Sequence, residues 1–94
     1  MRISQEAICG TTEKSDALVR VFPLQAGREI SFQKIPHPRF LERETELVEQ
    51  ILNEINVDCI RVEIEDYGAL AFVLEARIKG AVILAGEEKE AVLC

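Results

Sequence analysis

The stretch that decides the fold is Val57–Glu65, which reads Val-Asp-Cys-Ile-Arg-Val-Glu-Ile-Glu. From Ile60 onward, β-branched apolar residues alternate with charged ones, so every second side chain can face a core while its neighbours face water. The tripeptide Asp66-Tyr67-Gly68 follows, in which Gly68 tolerates positive φ and Asp66 is a candidate N-cap. We therefore expect a half-buried strand, a tight turn and then a helix.

Helices are predicted on both sides of this strand. Arg39–Asn56 carries apolar residues at helical spacing, with glutamates on the remaining surface and Asn56 at its expected end. Ala69–Ala85 has a wider apolar face and is weakened slightly by Gly80. The predicted core residues of this second helix are Leu70, Val73, Leu74, Ile78, Ala81, Val82 and Ala85.

Three β-type runs precede the first helix. Ile3–Cys9 is short, with Ile8 its best core candidate, whereas Ala17–Leu24 is dense in β-forming apolar residues. Glu29–Ile35 alternates apolar and polar residues after a short turn, so it most simply pairs with Ala17–Leu24 as an antiparallel hairpin. Alternation in Ala17–Leu24 places Leu18, Arg20 and Phe22 on one face and Val19 and Val21 on the other.

The order of elements predicts the fold class. A β-loop-β-β-α-β-α sequence favours an α+β domain, in which a small, mostly antiparallel sheet has two helices packed on one face. We expect this domain to span residues 1–86, ending at Gly86, and residues 87–94 to form a charged C-terminal tail.

Composition narrows the class of protein. The 94 residues make one domain, and 48% of them are hydrophobic, which predicts a globular rather than a disordered chain. No apolar run reaches the ~18 residues of a membrane span and no signal peptide is recognisable, so we expect a cytoplasmic protein without a membrane partner. A net charge of −6 argues against nucleic acid. Three scattered cysteines and one histidine predict neither a disulfide framework nor a metal site.

A polar loop separates the first two β-type runs. Gly10–Asp16 contains no apolar residue, and its small polar side chains favour a turn. Ser15 offers a primary hydroxyl there, between the ammonium of Lys14 and the carboxylate of Asp16. Such a loop suits covalent modification of Ser15 by a phosphate-linked group, although a polar turn with one serine is more often only a turn.

Two separated stretches carry a resemblance to a known family. Ala7–Asp16, with the strand after it, and Val62–Leu70, leading into Val73–Arg77, resemble the acyl carrier (gamma) subunit of citrate lyase. In that family a serine in the first motif carries a 2′-(5″-phosphoribosyl)-3′-dephospho-CoA arm, joined through a phosphodiester. The resemblance therefore implies a covalently attached cofactor.

The attachment position departs from the family pattern. The family's modified serine directly follows a glutamate, and that position is Lys14 here, which cannot form the ester. We carry the role to Ser15, the next residue, while Thr11 or Thr12 and an unmodified chain stay open as alternatives. Asp16 and Arg77 are the further cofactor-binding candidates. Arg77 is either a surface or capping residue or a contact to the arm or a partner subunit.

The implied function is that of a carrier without catalytic residues of its own. It would hold acetyl and citryl thioesters while the citrate lyase alpha and beta subunits cleave citrate to acetate and oxaloacetate, after a prosthetic-group transferase has loaded it. The alternatives are the acyl carrier of malonate decarboxylase and an unmodified regulatory or ligand-binding α+β module. An independent enzyme ranks last, because no nucleophile–base pair or metal cluster is visible.

Overall fold

The computed structural model describes residues 2–86 of the chain. A short 3-10 helix at Pro38–Phe40 precedes the first α-helix, and the Nδ1 atom of His37 accepts a hydrogen bond from the Arg39 N–H at the start of the 3-10 helix. The predicted α+β class and order of elements are confirmed. The strands are β1 (Ala7–Gly10), β2 (Ala17–Pro23), β3 (Arg28–Lys34) and β4 (Ile60–Asp66), and the α-helices are α1 (Leu41–Glu54) and α2 (Ala71–Gly86).

The sheet has the strand order β1-β2-β4-β3. β2 is antiparallel to both β1 and β4, whereas β3 runs parallel to β4. The sheet is therefore mostly antiparallel, as predicted. The prediction that Ala17–Leu24 and Glu29–Ile35 pair as a hairpin is wrong, because β4 lies between these two strands. β3, α1 and β4 form a β-α-β unit, and the helical crossover brings β4 back parallel to β3.

The core lies on one face of the sheet, beneath both helices. Alternate residues of β4 and β2 are fully buried, as their period of two predicts. Asn56, in the left-handed region at φ 59°, follows the end of α1 and allows the chain to enter β4. The principal core side chains are Val19, Val21, Val48, Ile51, Leu52, Ile60, Val62, Ile64, Leu74, Ile78 and Val82.

Two predicted core residues are instead exposed. Ile8 is 49% exposed, because it pairs with Arg20 on the sheet face away from the helices, while Ala7 and Cys9 pack against the core. Leu70 is 61% exposed, because it precedes the first residue of α2 and lies in the turn rather than on the buried face of the helix. Periodicity identifies faces, but it does not show which face of an edge element is covered.

Gly80 has a packing role that the sequence does not reveal. A Cβ atom at this position would lie 2.9 Å from the Sγ atom of Cys9, so glycine lets α2 approach β1 closely. The predicted tail at 87–94 lies outside the described residues. Among residues 2–86, no helix is both long and apolar enough to cross a membrane.

Candidate functional site

The Gly10–Asp16 loop is fastened to the turn after β4 by backbone hydrogen bonds. The Ser15 N–H donates to the Tyr67 carbonyl at 2.8 Å, and the Tyr67 N–H donates to the Asp16 carbonyl at 2.9 Å. Because Ala17 pairs with Asp66 in the sheet, these bonds continue the β2–β4 ladder into the loop. The loop is therefore an extension of the sheet at its base.

Gly10 is required where the loop begins. It has φ of 106°, and a Cβ atom placed on it would lie 1.9 Å from the Ala17 carbonyl oxygen. An L-amino acid with a side chain therefore fits neither the backbone conformation nor the space. The two ends of the loop approach each other this closely only because residue 10 is glycine.

A charged clamp closes the loop from the side of α2. Arg77 donates from Nε to Asp16 Oδ1 at 2.8 Å and from Nη2 to Oδ2 at 2.9 Å, a bidentate pair. The same carboxylate accepts hydrogen bonds from the Thr11 hydroxyl and the Ala17 N–H, both at 2.7 Å. Arg77, then Thr11 and the Ala17 amide, hold the pKa of Asp16 far below its ordinary value, so its charge is permanent in the folded protein.

Ser15 carries an exposed hydroxyl next to the last residue of this clamped loop. Its φ is 70°, a left-handed conformation that is uncommon outside glycine and is held here by the bond to Tyr67. Its side chain is exposed, and its hydroxyl makes no hydrogen bond to any residue between 2 and 86. Lys14 and Thr12 beside it are also exposed.

The predicted site residues Ser15, Asp16 and Arg77 are thus brought together in space. Asp16 is directed toward Arg77 and Thr11 rather than toward solvent, and only 14% of its side chain is exposed. No sequence pattern indicates that the hydroxyl of Thr11 belongs to the clamp or that the Tyr67 backbone anchors the loop. A glycine at residue 10, six positions before the aspartate, is the only local signal of so tight a turn.

A second acidic site lies on the other side of the same turn. Asp66 is 2% exposed, and its Oδ1 atom accepts hydrogen bonds from the Gly68 and Ala69 N–H groups at 2.9 Å. Because α2 begins at Ala71, Asp66 caps the turn, and the prediction that it caps the helix is wrong. Gly68 has φ of 94°, as its place in the turn requires.

Glu44 on α1 faces this buried aspartate. Its Oε1 atom is buried and has no hydrogen-bond partner among the described residues. Burial, and then the hydrogen bond to Asp66, raise the pKa of Glu44 to about 7, while Arg43 opposes the shift. Glu44 therefore keeps its proton to a higher pH than an exposed glutamate, because it cannot ionise beside a second acid without repulsion.

A groove runs between α1 and the first turn of α2, next to this acid pair. It has a volume of about 480 Å³. Its apolar wall includes Leu47, Leu70 and Leu74, and its polar lining includes Glu44 and Gln50. We call it the α1–α2 groove.

Comparisons with known proteins agree on one family. Residues 4–85 match the family model described as "ACP: Malonate decarboxylase delta subunit (MdcD)". A citrate lyase acyl carrier protein from Haemophilus influenzae is 36% identical over 96 residues, covering 99% of this chain and 100% of the relative. Another from Escherichia fergusonii is 33% identical over 91 residues, covering 96% of this chain and 94% of the relative. This chain belongs to the acyl carrier protein family.

A solved structure shares the fold of this acyl carrier. One chain in the crystal structure of a Pseudomonas malonate decarboxylase hetero-tetramer in complex with malonate superposes with a TM-score of 0.69 at 19% identity. The match covers 92% of this chain and 93% of that chain. The sequence relatives are named as carriers and not as catalytic subunits, which confirms the predicted class. Acyl carriers hold their cargo on a covalently bound prosthetic group, so the family implies such a group here.

Proposed function

We propose that this chain is the acyl carrier subunit of a cytoplasmic citrate lyase, with Ser15 as the attachment residue for a 2′-(5″-phosphoribosyl)-3′-dephospho-CoA arm. The observation that carries the proposal is the loop geometry: a turn fixed to the sheet and to α2 presents an exposed hydroxyl with no partner in residues 2–86. The names of the citrate lyase relatives support this choice of complex.

The hydroxyls of the loop are not equivalent as attachment sites. Thr11 donates to Asp16 and accepts a hydrogen bond from the Glu13 N–H, so esterification there would break the clamp. Lys14 stands at the family's position but has no hydroxyl. Thr12 is exposed but is a more crowded secondary alcohol. These differences support Ser15, whose modification would break no hydrogen bond of the described residues.

The chain's own residues would act by positioning. When bound, the arm supplies a terminal thiol that carries acyl groups as thioesters. Asp16 and Arg77 hold the base of the loop in place, so the Ser15 hydroxyl beside it has a defined location for the transferase and for the arm. A tethered group meets successive active sites of the alpha and beta subunits at a high effective concentration, without being released between them.

The attachment is tested by coexpression with the prosthetic-group transferase followed by intact-mass measurement. We expect the wild-type chain to gain the mass of the arm and Ser15→Ala to gain nothing. Thr12→Ala is the matched control, since it removes a neighbouring exposed hydroxyl, and it should gain the full mass. A gain retained in Ser15→Ala would reject this residue, and no gain in the wild type would favour the unmodified regulatory module.

A second candidate is the acyl carrier of malonate decarboxylase. The description of the matching family model and the shared fold with a chain of the Pseudomonas complex favour it. Loaded carrier should be combined separately with citrate lyase alpha and beta subunits and with malonate decarboxylase partner subunits. We expect turnover of citrate in the first mixture and none of malonate in the second, and the reverse result would select the other complex.

A further inference from the structure

The α1–α2 groove begins beside the Ser15 loop. The Ser15 N–H donates to the Tyr67 carbonyl, and Ala69, two residues further along the same turn, already lines the groove. A flexible group attached at Ser15 would therefore have this groove as a neighbour on the carrier itself.

Two features of the groove are unexplained by the packing of the chain. Leu70 is one of its lining residues and remains 61% exposed, although it is a large apolar side chain. Glu44 also lines it, with a buried Oε1 atom that has no hydrogen-bond partner in residues 2–86. An apolar wall with an unsatisfied polar group is typical of a ligand site, because an occupant can cover the first and bond to the second.

The Ser15 loop and the α1–α2 groove carry cations that are complementary to a phosphate-bearing chain. Arg20, Arg28, Arg61, Arg77 and Lys79 all form ion pairs with carboxylates. In contrast, Lys14 in the loop and Arg43 at the groove form no ion pair within the described residues. On a protein with a net charge of −6, a cation without an ion-pair partner is therefore present both in the loop and at the groove.

We propose that the α1–α2 groove holds the thiol-bearing, amide-containing end of the arm against the carrier between transfers, while Lys14 and Arg43 face its phosphates. The inference rests on the proposed function, since it requires an arm on Ser15. The apolar carbons of the arm would cover Leu47, Leu70 and Leu74, and the unpartnered Oε1 atom of Glu44 would accept a hydrogen bond from an amide N–H of the arm. The cargo would thus be retained on the carrier rather than left free in water.

The inference gives the unpartnered oxygen of Glu44 a partner. Asp66 and Arg43 are the charged groups that act on this carboxyl, and the contact with Asp66 leaves Oε1 without a hydrogen bond in residues 2–86. A carboxyl oxygen accepts a hydrogen bond whether the group is protonated or ionised. Occupancy of the groove should therefore depend on an acceptor at residue 44.

Methyl NMR on apo- and holo-protein tests this. We expect the loaded chain to shift the methyl signals of Leu47, Leu70 and Leu74, and to leave those of Ile83 and Leu84 unchanged. The last two are also exposed but lie at the far end of α2. Leu70→Glu should remove most of the shifts at Leu47 and Leu74, and the matched control Ile83→Glu should retain them.

Variants of Glu44 complete the test. Glu44→Ala removes the acceptor and should reduce the differences between holo- and apo-protein at Leu47 and Leu74, whereas Glu44→Gln, whose amide oxygen still accepts, should retain them. Holo-protein whose shifts are confined to the Ser15 loop would overturn the inference and leave the proposed function intact. Failure of the wild-type chain to gain the mass of the arm would overturn both.

Discussion

Asp16 and Asp66 are neighbouring acids that the fold stabilises in opposite ways. They stand at the start of β2 and the end of β4, where Ala17 pairs with Asp66. Asp16 pairs with a cation, the guanidinium of Arg77, whereas Asp66 contacts a second acid, Glu44. Asp16 is thus paired with a permanent positive charge, and Asp66 with a carboxyl group whose pKa is raised to about 7.

The difference separates a fixed part of the site from an adjustable one. Arg77 stays charged at every physiological pH, because Asp16 raises its already high pKa, so the loop that presents Ser15 is clamped throughout. The proton on Glu44 is lost near pH 7, so the surroundings of the α1–α2 groove change with pH. The loop that presents Ser15 is therefore held in the same way at every physiological pH, whereas the acid pair beside the groove responds to pH.

The largest expected effect on folding stability comes from Gly10 in the loop, and Gly68 in the turn after β4 serves as its comparison. Gly10→Ala should destabilise the protein by roughly 2–4 kcal/mol, because the new Cβ would clash with the Ala17 carbonyl oxygen and because the φ at this position is unfavourable for alanine. Gly68→Ala is the matched control, since it has similar φ but nothing within 4 Å, and it should cost only about 1 kcal/mol. Urea unfolding measures both, and equal losses would show that the loop base is not tightly closed.

The next effect concerns the charge on Asp16. Asp16→Asn weakens the pair with Arg77 and should cost about 1–3 kcal/mol at pH 7. Because the pKa of Asp16 is depressed on folding, the stability it contributes is present above the ordinary aspartate pKa, about 3.9, and is lost below it. Wild type and variant should therefore converge in acid. Glu13→Gln, an exposed carboxylate in the same loop, should show no such difference at pH 7.

The contribution of Glu44 to folding stability should have the opposite pH dependence to that of Asp16, and it should be smaller. Its pKa is raised on folding, so its protonated form beside Asp66 stabilises the protein fully below pH 4.5, and this contribution is lost as the pH rises to about 7. Glu44→Gln should remove that decline, by about 1 kcal/mol after allowance for partial exposure. Melting temperatures across pH 4.5–8 check it, with Glu42→Gln, an exposed carboxylate of α1 that does not line the groove, as the control. An unchanged decline in Glu44→Gln would remove the contrast with Asp16.

The smallest effect concerns α2, which contacts both regions. Gly80→Ala gains helix propensity but crowds the Cys9 sulfur, so we expect a net loss below about 1 kcal/mol. In a Cys9→Ala background the same change should become neutral or stabilising. A double-mutant cycle by thermal unfolding measures this coupling, and additivity would show that the helix and β1 are not in tight contact.

The elements themselves could be predicted from the sequence. The alternation in Val57–Glu65 identified β4 and its buried face, and the helical periodicity located α1 and α2 within two residues at most boundaries. The neighbour of β3 could not be found in this way. A period of two describes the faces of a strand, but it does not show that a later strand enters the sheet between two earlier ones.

The site was predictable only in part. A polar loop with Ser15 and Asp16 is visible in the sequence, because turn residues interrupt two apolar runs. The pairing of Asp16 with Arg77 spans 61 positions, so no local pattern reveals it. The contact of Glu44 with Asp66 is equally hidden, since a glutamate on an acidic helix is usually solvated.

The central claim is that one clamped loop supplies the hydroxyl on which the arm is built. The most direct measurement is fragment-ion mass spectrometry of the loop peptide from wild-type protein coexpressed with its transferase. We predict that N-terminal fragment ions ending at Lys14 have the unmodified mass. Those that also include Ser15 should carry the whole added mass. An adduct on Thr11 or Thr12, or a loop peptide of unmodified mass, would contradict the account.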